Sequence, residues 1–463
     1  MKVPPAAGPR ACRVVPGGRR ACNGEVNDPM LSTEDNALLT KVGRGTPVGN
    51  LYRRFWHPVV TAARLPEPDG APLRVRILGE NLILFRDTAG QVGALEALCP
   101  HRRTQLFWGR NEEGGLRCAY HGWKFDVSGQ CVDMPTEPAE STYKDRLRTI
   151  GYPVVERGGF VWVYMGPRDK QPPLPGYEWM DLPADRRLSS SFLQESNYLQ
   201  ALEGDVDTAH VSYLHRFLDP ETAPQPPQMV EGYRHFVIQD TAPRLSVKQT
   251  DYGFLYGGRR TLADGNYYWR ITQWLAPAAT QLPSAGQFGT AKINVPIDDE
   301  NTMSFGVYYN PSRALRKGEW YEPSVSTEAY RLSTGHLIDH PRGMTNLDND
   351  YLIDREAEKN KFVGVKGGTG AEDRAVTESM GAIMDRSAEH LGVSDIAIVA
   401  MRRALLRMAR DLENGIEPTL PARAELFNTR GLDVISEHAD FQRLLEEQAD
   451  ALLADQGMSP TAP

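Results

Sequence analysis

Two short clusters of cysteine and histidine decide the fold of this chain. The first reads Cys99-Pro100-His101, and sixteen residues later the second reads Cys118-Ala119-Tyr120-His121-Gly122-Trp123. Cysteine and histidine together suit an iron–sulfur cluster in which one iron takes two cysteines and the other takes two histidines. The same four side chains are also compatible with a single tetrahedral zinc ion. The two clusters alone leave both kinds of metal site open.

The residues around these clusters predict β-strands. Runs of apolar and β-branched residues at 74–78, 82–85 and 94–98 are separated by turn-forming residues, and a further strand is predicted at 159–165. Each Cys/His cluster then falls in a loop at the end of a strand. We therefore predict a small all-β domain over residues 55–167, with the metal-binding loops at one end.

A chain of 463 residues is too long to fold around one small hydrophobic core, so its length favours two domains. The second domain mixes predicted helices and strands, so the fold class is α+β. Its clearest helix begins after Ser394 and ends at Gly415. Around the domain at 55–167 we predict a disordered extension at 1–29, a helical segment at 30–54, a linker at 168–178, a catalytic domain at 179–456 and a disordered tail at 457–463.

Composition excludes several classes of function. The formal net charge is −8, and Lys and Arg are not gathered into one run, so neither a nucleic-acid partner nor an anionic membrane surface is indicated. Five cysteines in this length do not form a disulfide framework, and their odd number favours a reducing compartment. No apolar stretch reaches the roughly 18 residues of a membrane span. We therefore predict a cytoplasmic protein.

A second group of polar residues indicates another metal site. Four polar residues recur at intervals of three and four, which places them on one face of a helix predicted around 194–216: Gln200, Glu203, Asp207 and His210. Such a face is costly inside a large domain unless it lines a site. Because His210 and His215 are five residues apart, the helix must end or widen between them for both to reach one metal.

Two histidines with one carboxylate form the facial triad of non-haem iron(II) oxygenases, which leaves open positions for oxygen. The carboxylate must come from elsewhere in the chain. The acidic segment 346–356 offers candidates, and we predict Asp350 as the ligand in preference to Asp348 and Asp354.

These motifs resemble those of the Rieske-type non-haem iron aromatic ring-hydroxylating oxygenases, in particular the branch of phthalate 4,5-dioxygenase oxygenase components. The resemblance covers residues 31 to about 406 and departs from the common pattern at Arg103, where many relatives have glycine. The matching motifs are Cys99-x-His101…Cys118-x-x-His121, Asp207-x-x-His210-x-x-x-x-His215 and Asn349-Asp350-Tyr351-Leu352-Ile353-Asp354-Arg355.

The resemblance implies two iron centres. It assigns a 2Fe–2S cluster to Cys99, His101, Cys118 and His121. It assigns a mononuclear Fe(II) to His210, His215 and Asp350. It also implies a helix-grip catalytic domain, in which a curved antiparallel sheet surrounds a long helix. Electrons would come from NADH through a separate flavin-containing reductase.

The resemblance further implies a homotrimer or a hexamer. In such an assembly Asp207 would accept hydrogen bonds from His210 and from His121 of the partner subunit, and electrons would cross between the two centres at this point. Asp207 is therefore the predicted catalytic residue that links the two iron sites.

The resemblance implies a carboxylated aromatic substrate, and arginines are the candidate residues for binding it. Arg234 and Arg270 lie in segments predicted as strands lining the cavity, and guanidinium groups bind carboxylates through two hydrogen bonds. We predict hydroxylation of a carboxylated, phthalate-like aromatic compound. The alternative within the class is a monooxygenase that removes the methyl group of a methoxylated aromatic acid. Outside it, an electron carrier would hold about two irons per chain instead of about three, and a zinc-stabilised binding protein would be colourless.

Overall fold

The computed structural model describes residues 31–319 and 324–453, together with two paired strands of two residues, Arg13–Val14 and Arg20–Ala21. Apart from those two strands, the predicted disordered extension at 1–29 lies outside the described residues, and so does the predicted tail at 457–463.

Two short helices lead into the first domain. Helix α1 (Thr33–Thr40) begins after Ser32, whose side chain accepts a hydrogen bond from the Asp35 amide. Helix α2 (Pro47–Tyr52) begins with a proline, which has no amide hydrogen to leave unpaired at a helix start. Leu51 and Tyr52 are fully buried, so α2 joins the hydrophobic core that the two domains share.

Eleven strands lie between residues 56 and 164 and form three small antiparallel sheets. The strands are β1 (Trp56–Thr61), β2 (Leu73–Ile77), β3 (Glu80–Arg86), β4 (Val92–Glu96), β5 (Arg110–Glu112), β6 (Gly115–Arg117), β7 (Lys124–Phe125), β8 (Cys131–Asp133), β9 (Gly151–Tyr152), β10 (Val154–Arg157) and β11 (Phe160–Tyr164). In spatial order the sheets are β9-β4-β3-β2, β10-β11-β1 and β8-β7-β6-β5.

A separate apolar cluster supports the Cys/His loops. Ile83 and Phe85 of β3 pack with Leu95 of β4 and Leu116 of β6, and this cluster includes the side chains of the two loop cysteines. The loops are therefore anchored by buried strands on the side away from solvent, as expected for a site that must hold its geometry.

The second domain is built on one large, mostly antiparallel sheet. Its spatial order is β13-β14-β15-β16-β17-β18-β12-β22-β19, with β23 paired to β15, and only β12 and β22 run parallel. Strands β20 and β21 form a separate pair. The strands are β12 (Arg187–Gln194), β13 (Arg244–Thr250), β14 (Gly253–Thr261), β15 (Tyr267–Leu275), β16 (Ala279–Leu282), β17 (Gly289–Pro296), β18 (Thr302–Tyr309), β19 (Val325–Ser326), β20 (Tyr330–Arg331), β21 (Leu337–Ile338), β22 (Arg342–Gly343) and β23 (Leu432–Ser436).

Helices cover this sheet, which gives the predicted α+β class. The longest, α7, buries Met401 and Leu405 completely and ends just before Gly415. No helix among the described residues is long and apolar enough to cross a membrane. The helices are α3 (Tyr198–Asp205), α4 (Tyr233–Gln239), α5 (Arg355–Asn360), α6 (Thr369–Glu378), α7 (Ile396–Glu413), α8 (Phe441–Glu447) and α9 (Ala449–Leu452).

The helix predicted around 194–216 is shorter in the structure. Helix α3 ends at Asp205, because the Asp207 carboxylate accepts a 2.6 Å hydrogen bond from the Ala209 amide and so stabilises a turn that competes with the helix. Glu203 and Gln200 therefore do not share one helical face with His210. Both are instead tied to the elements beside α3.

Candidate active site

The two Cys/His loops have the same backbone design. The amide of Arg103 donates to the Cys99 carbonyl at 2.9 Å, and the amide of Gly122 donates to the Cys118 carbonyl at 3.0 Å. Both donors have left-handed backbone angles, with φ of 60° at Arg103 and 75° at Gly122. Arginine at such a position costs about 1–2 kcal/mol relative to glycine. The ion pair between Arg103 and Glu96, at 2.6 Å, offsets part of that cost.

The structure brings together all four predicted side chains of these loops. Cys99 and Cys118 are buried neighbours, and a hydrogen bond from Cys99 lowers the pKa of the Cys118 thiol to about 6, which favours the thiolate that binds metals. The imidazole rings of His101 and His121 lie 4.5 Å apart, and His101 stacks on Trp123 at 4.0 Å. The Nδ1 atom of His101 is buried without a hydrogen-bond partner. A metal ligand role would satisfy it.

The spacing of these four residues argues against one zinc ion. A single tetrahedral zinc holds its ligand atoms within about 4 Å of one another. Among the described residues, only one group of three or more metal-binding side chains has its ligand atoms within 4.8 Å of one another. That group does not include any of the four residues of the Cys/His loops. The Cys/His loops therefore fit a larger group that contains two metals better than a single ion.

That compact group consists of His210, His215 and Asp373. His215 Nε2 lies 3.1 Å from Asp373 Oδ1, and His210 Nε2 lies 3.7 Å from the same oxygen. The turn after α3 leads into a short 3-10 helix at His210–Ser212, which presents His210, while α6 presents Asp373. The five-residue spacing predicted a break between the histidines, whereas α3 ends earlier, at Asp205, and the 3-10 helix ends at Ser212. The chain is therefore not a continuous helix, and both imidazoles reach one point.

Neighbouring groups orient the three residues. The other nitrogen of His215, Nδ1, lies 2.6 Å from Glu372 Oε2, and both side chains are buried. Lys292 Nζ lies 2.9 Å from Asp205 and 3.8 Å from Asp373 Oδ2. Each side chain of this environment therefore has a charged partner on a neighbouring element.

The electrostatics of the group favour a cation. Burial opposes protonation of His215, but the Asp373 and Glu372 carboxylates outweigh burial and raise its pKa to about 9. Burial likewise opposes ionisation of Asp373, yet His215 and Lys292 hold the pKa of its carboxyl well below the ordinary value. The negative potential that keeps a proton on His215 would also attract a divalent metal, which displaces such protons when it binds.

Asp207 lies beside this group. Its Oδ2 atom is 3.4 Å from His210 Nδ1. Burial would raise the pKa of Asp207, but hydrogen bonds from the His210 side chain and from the Ala209 amide outweigh burial and lower it. The carboxylate is thus ionised and touches His210 on the ring nitrogen that faces away from Asp373.

The structure does not bring Asp350, the predicted third ligand, beside the two histidines. Asp350 and Tyr351 have left-handed backbone angles, and this tight turn leaves the Asp350 side chain exposed. The two alternatives are also occupied elsewhere, since Asp348 pairs with Arg342 at 2.7 Å and Asp354 caps α5. The structure places Asp373, and none of these three, beside the two histidines.

The signal for Asp373 was present but weak. Helix α6 buries Glu372, Arg374 and Glu378 although it carries few large apolar residues. The reasoning that a buried polar helix face must line a site applies to this helix as well as to α3. Glu372 and Lys292 were also missed, because only the tertiary structure places them beside His215 and Asp373.

A cavity of about 520 Å³ opens beside the group and is lined by Asp207, His210, His215 and Asp373. Arg270, on β15, and Arg234 also line it. Arg234 lies on α4 and not on the predicted strand, and Tyr233 of the same helix also lines the cavity.

Both arginines keep unused hydrogen-bonding capacity. Arg234 donates to the His215 carbonyl at 3.1 Å, and Arg270 donates to the Tyr268 hydroxyl at 3.3 Å. The Nε atom of each guanidinium is buried and has no partner. Two other lining residues, Thr208 and Gln228, also carry a buried unpaired oxygen. The cavity therefore offers polar groups to a ligand that carries acceptors and donors of its own.

Comparison with known proteins identifies the family. A family model described as LigXa C-terminal domain like matches residues 163–443, and one described as Rieske [2Fe-2S] domain matches residues 55–149. The 3-chlorobenzoate-3,4-dioxygenase oxygenase subunit of Comamonas testosteroni is 37% identical over 92% of this chain and 100% of its own length. The chain belongs to the Rieske oxygenases. It is therefore an oxidoreductase of the class that carries a 2Fe–2S cluster and a mononuclear iron, as the resemblance implied.

Other Rieske oxygenases among the relatives differ in reaction. The phthalate 4,5-dioxygenase oxygenase subunit of Pseudomonas putida is 40% identical over 81% of this chain and 86% of its own length. The 5,5'-dehydrodivanillate O-demethylase oxygenase subunit of Sphingobium sp. is 32% identical over 91% of each chain. Dioxygenases and an O-demethylase thus share this architecture.

A solved Rieske oxygenase confirms the fold. The structure of dicamba monooxygenase bound to dicamba superposes with a TM-score of 0.53, covering 78% of this chain and 98% of that chain at 20% identity. The predicted combination of an all-β Rieske domain with a sheet-and-helix catalytic domain is confirmed.

Proposed function

We propose that this chain is the terminal oxygenase that hydroxylates a carboxylated aromatic compound with O2 and electrons delivered from NADH by a flavin-containing reductase. The observation that carries the proposal is the group His210, His215 and Asp373 at the wall of a 520 Å³ cavity that also presents two arginines. Two imidazoles and one carboxylate are the ligand set of mononuclear iron oxygenases. We place the protein in the cytoplasm, because its small and odd number of cysteines suits a reducing compartment.

We assign the 2Fe–2S cluster to Cys99, Cys118, His101 and His121, and Fe(II) to His210, His215 and Asp373. The buried, unpaired Nδ1 atom of His101 supports the first assignment, and the convergence of three ligand atoms supports the second. When bound, the cluster stores an electron and the mononuclear iron activates O2. The experiment that tests the proposal combines iron analysis, with about three irons per chain expected, and measurement of substrate-dependent O2 consumption with a reductase and NADH.

Glu372 has a positioning role in this proposal. Its carboxylate accepts from His215 Nδ1 and so fixes the ring with Nε2 toward the iron. Glu372→Gln is expected to weaken iron binding by about 10- to 100-fold, the usual cost of losing such a partner. The measurement is iron retention in a chelator titration, with Glu319→Gln, whose carboxylate pairs with Arg313 instead of with a histidine, as the control. Unchanged iron affinity in Glu372→Gln would remove this role.

The path between the two centres passes between subunits in our proposal. Asp207 contacts His210, and His121 of the partner subunit would approach the same carboxylate in a trimer or hexamer. Support comes from the partial exposure of Asp207 and His210, each 23% exposed at the side chain. A carboxylate that accepts from a ligand of each centre orients both and connects them.

The arginines of the cavity set the substrate class in our proposal. Arg270→Gln is expected to raise KM for a carboxylated aromatic by about 10- to 100-fold, because a hydrogen bond to a charged group contributes about 1.5–3 kcal/mol. KM for a matched aromatic amide is expected to change much less. Arg234→Gln is a second variant of the same kind.

The control for this prediction is Arg423→Gln, since Arg423 pairs with Asp251 on the surface away from the cavity. Equal KM changes for the acid and the amide would show that the arginines shape the cavity without binding a carboxylate.

A second candidate is O-demethylation of a methoxylated aromatic acid, favoured by the O-demethylase subunit among the relatives. Hydroxylation of the methyl group releases formaldehyde, whereas ring dihydroxylation does not. Stoichiometric formaldehyde from a methoxylated acid, with no diol product from the unsubstituted acid, would select this candidate.

A further inference from the structure

A second cavity reaches His210 and Asp373 in addition to the substrate cavity. This side cavity has a volume of about 220 Å³, against about 520 Å³ for the substrate cavity. The two cavities share one wall, which is formed by Gly204, Asp205, Asp207, His210, Lys292 and Asp373. His210 and Asp373 therefore lie between two compartments of different size.

The side cavity is apolar where it is open. Its apolar lining consists of Ala201, Leu214, Val376, Met380, Met384, Leu391 and Ile398. At its outer end Val376 is 39% exposed and Met380 is 49% exposed, so the cavity is accessible from solvent there. A small molecule could pass from this end to the iron ligands without crossing the substrate cavity.

The buried polar side chains of the side cavity already have hydrogen-bond partners. Gln200 donates to the carbonyls of Thr377 and Gly381, each at 2.9 Å. The Glu203 carboxylate accepts from Arg386 at 2.8 Å and from Arg402 at 2.7 Å. None of the described residues that line the side cavity has a buried side-chain nitrogen or oxygen without a partner.

This pairing distinguishes the two cavities. The substrate cavity has four lining residues with buried unpaired polar atoms, namely Thr208, Gln228, Arg234 and Arg270. The substrate cavity thus offers a polar or charged ligand buried unpaired groups that the side cavity does not. The apolar section of the side cavity suits a small apolar guest, because such a guest contacts Met380, Met384 and Ile398 and needs no hydrogen bond.

We propose that O2 reaches the group His210, His215 and Asp373 through the side cavity, while the aromatic substrate occupies the larger one. This inference rests on the proposed oxygenase function, because it concerns the route of that reaction's gaseous substrate. O2 is small and apolar, as the side cavity requires. A separate route also lets O2 arrive after the aromatic compound has filled the substrate cavity.

The first test uses xenon, an apolar probe of gas cavities, with crystals of the wild-type protein. We expect xenon density between Met380 and the shared wall. Xenon found in the substrate cavity but absent from the side cavity overturns the proposal, and this result does not depend on activity.

The second test compares two methionine substitutions at opposite cavities. Met380 lies at the side cavity and Met344 lines the substrate cavity, and the two are similarly exposed, at 49% and 55%. Met380→Trp is expected to raise KM for O2 several-fold and to leave KM for the aromatic substrate unchanged. Met344→Trp is expected to do the reverse. Ala201→Leu, which adds volume inside the side cavity, is expected to act like Met380→Trp.

The outcomes separate this inference from the proposed function. Absence of substrate-dependent O2 consumption in the wild-type enzyme would refute the function, whereas xenon would still report on the side cavity as a gas site. Normal KM for O2 in both Met380→Trp and Ala201→Leu, with turnover retained, overturns the route. If Met380→Trp and Ala201→Leu changed the solvent isotope effect on turnover but left KM for O2 unchanged, the O2 route would also be overturned. The side cavity would then carry water and protons instead of O2.

Discussion

Asp373→Ala is expected to remove the mononuclear iron and to lower turnover by at least about 100-fold, more than the loss of an orienting partner usually costs. The variant leaves His210 and His215 with no shared carboxylate, and two imidazoles alone hold iron(II) poorly because one charged oxygen ligand is missing. Iron content is expected to fall from about three to about two per chain. The visible and EPR spectra of the 2Fe–2S cluster are expected to persist.

The matched control is Asp350→Ala, which removes an exposed carboxylate of the acidic segment. It is expected to keep its full iron content and turnover. If Asp350→Ala lost iron and Asp373→Ala kept it, the ligand assignment from geometry would be wrong and the earlier choice from sequence would be right.

Asp207→Ala is expected to keep most of both metals and to lose most turnover. The Asp207 carboxylate contacts His210 on the nitrogen directed away from Asp373, so its removal disturbs the connection between the centres more than the ligation itself. The measurement is a single turnover, in which the reduced 2Fe–2S cluster is mixed with substrate and O2 and its reoxidation is followed. Reoxidation is expected to slow by about 100-fold or more, at the upper end of the effect of such orienting groups.

The control for this prediction separates charge from local folding. Asp207→Asn keeps an oxygen that can accept from the Ala209 amide, so the turn after α3 is expected to persist. Slow reoxidation in both variants, with iron retained, would support the role of the charge. Product formation at the normal rate in Asp207→Ala would refute the proposed path.

Local motifs were predictable, whereas contacts between distant segments were not. The Cys/His loops carry their ligands within a few residues of tight turns, so the sequence alone specifies which side chains come together. The need for a helix end near His210 and His215 followed from helical geometry, although α3 ends at Asp205, before both histidines. Asp373 was missed because its approach to His215 depends on how α6 packs against α3, which no local spacing reveals. Asp350 was chosen from an acidic cluster, and clusters of that kind are common on surfaces.

Helix length was also overestimated for a physical reason. The polar spacing continued past Asp205, but Asp207 offers its own carboxylate to the backbone and ends the helix. Gln200 and Glu203 then became structural residues that pair with α6 and α7 neighbours. A regular spacing of polar residues can thus continue past the end of a helix, and the spacing itself does not show where the helix ends.

The adjacency of Glu372 and Asp373 on α6 has a thermodynamic consequence. One helix contacts both nitrogens of His215, and His215 belongs to a segment far away in the chain. An ion held by His210, His215 and Asp373 would fasten that segment to α6. By linkage, binding to the folded state alone raises the free energy of unfolding with metal concentration. In this domain the ion that carries the chemistry would also be part of the tertiary structure.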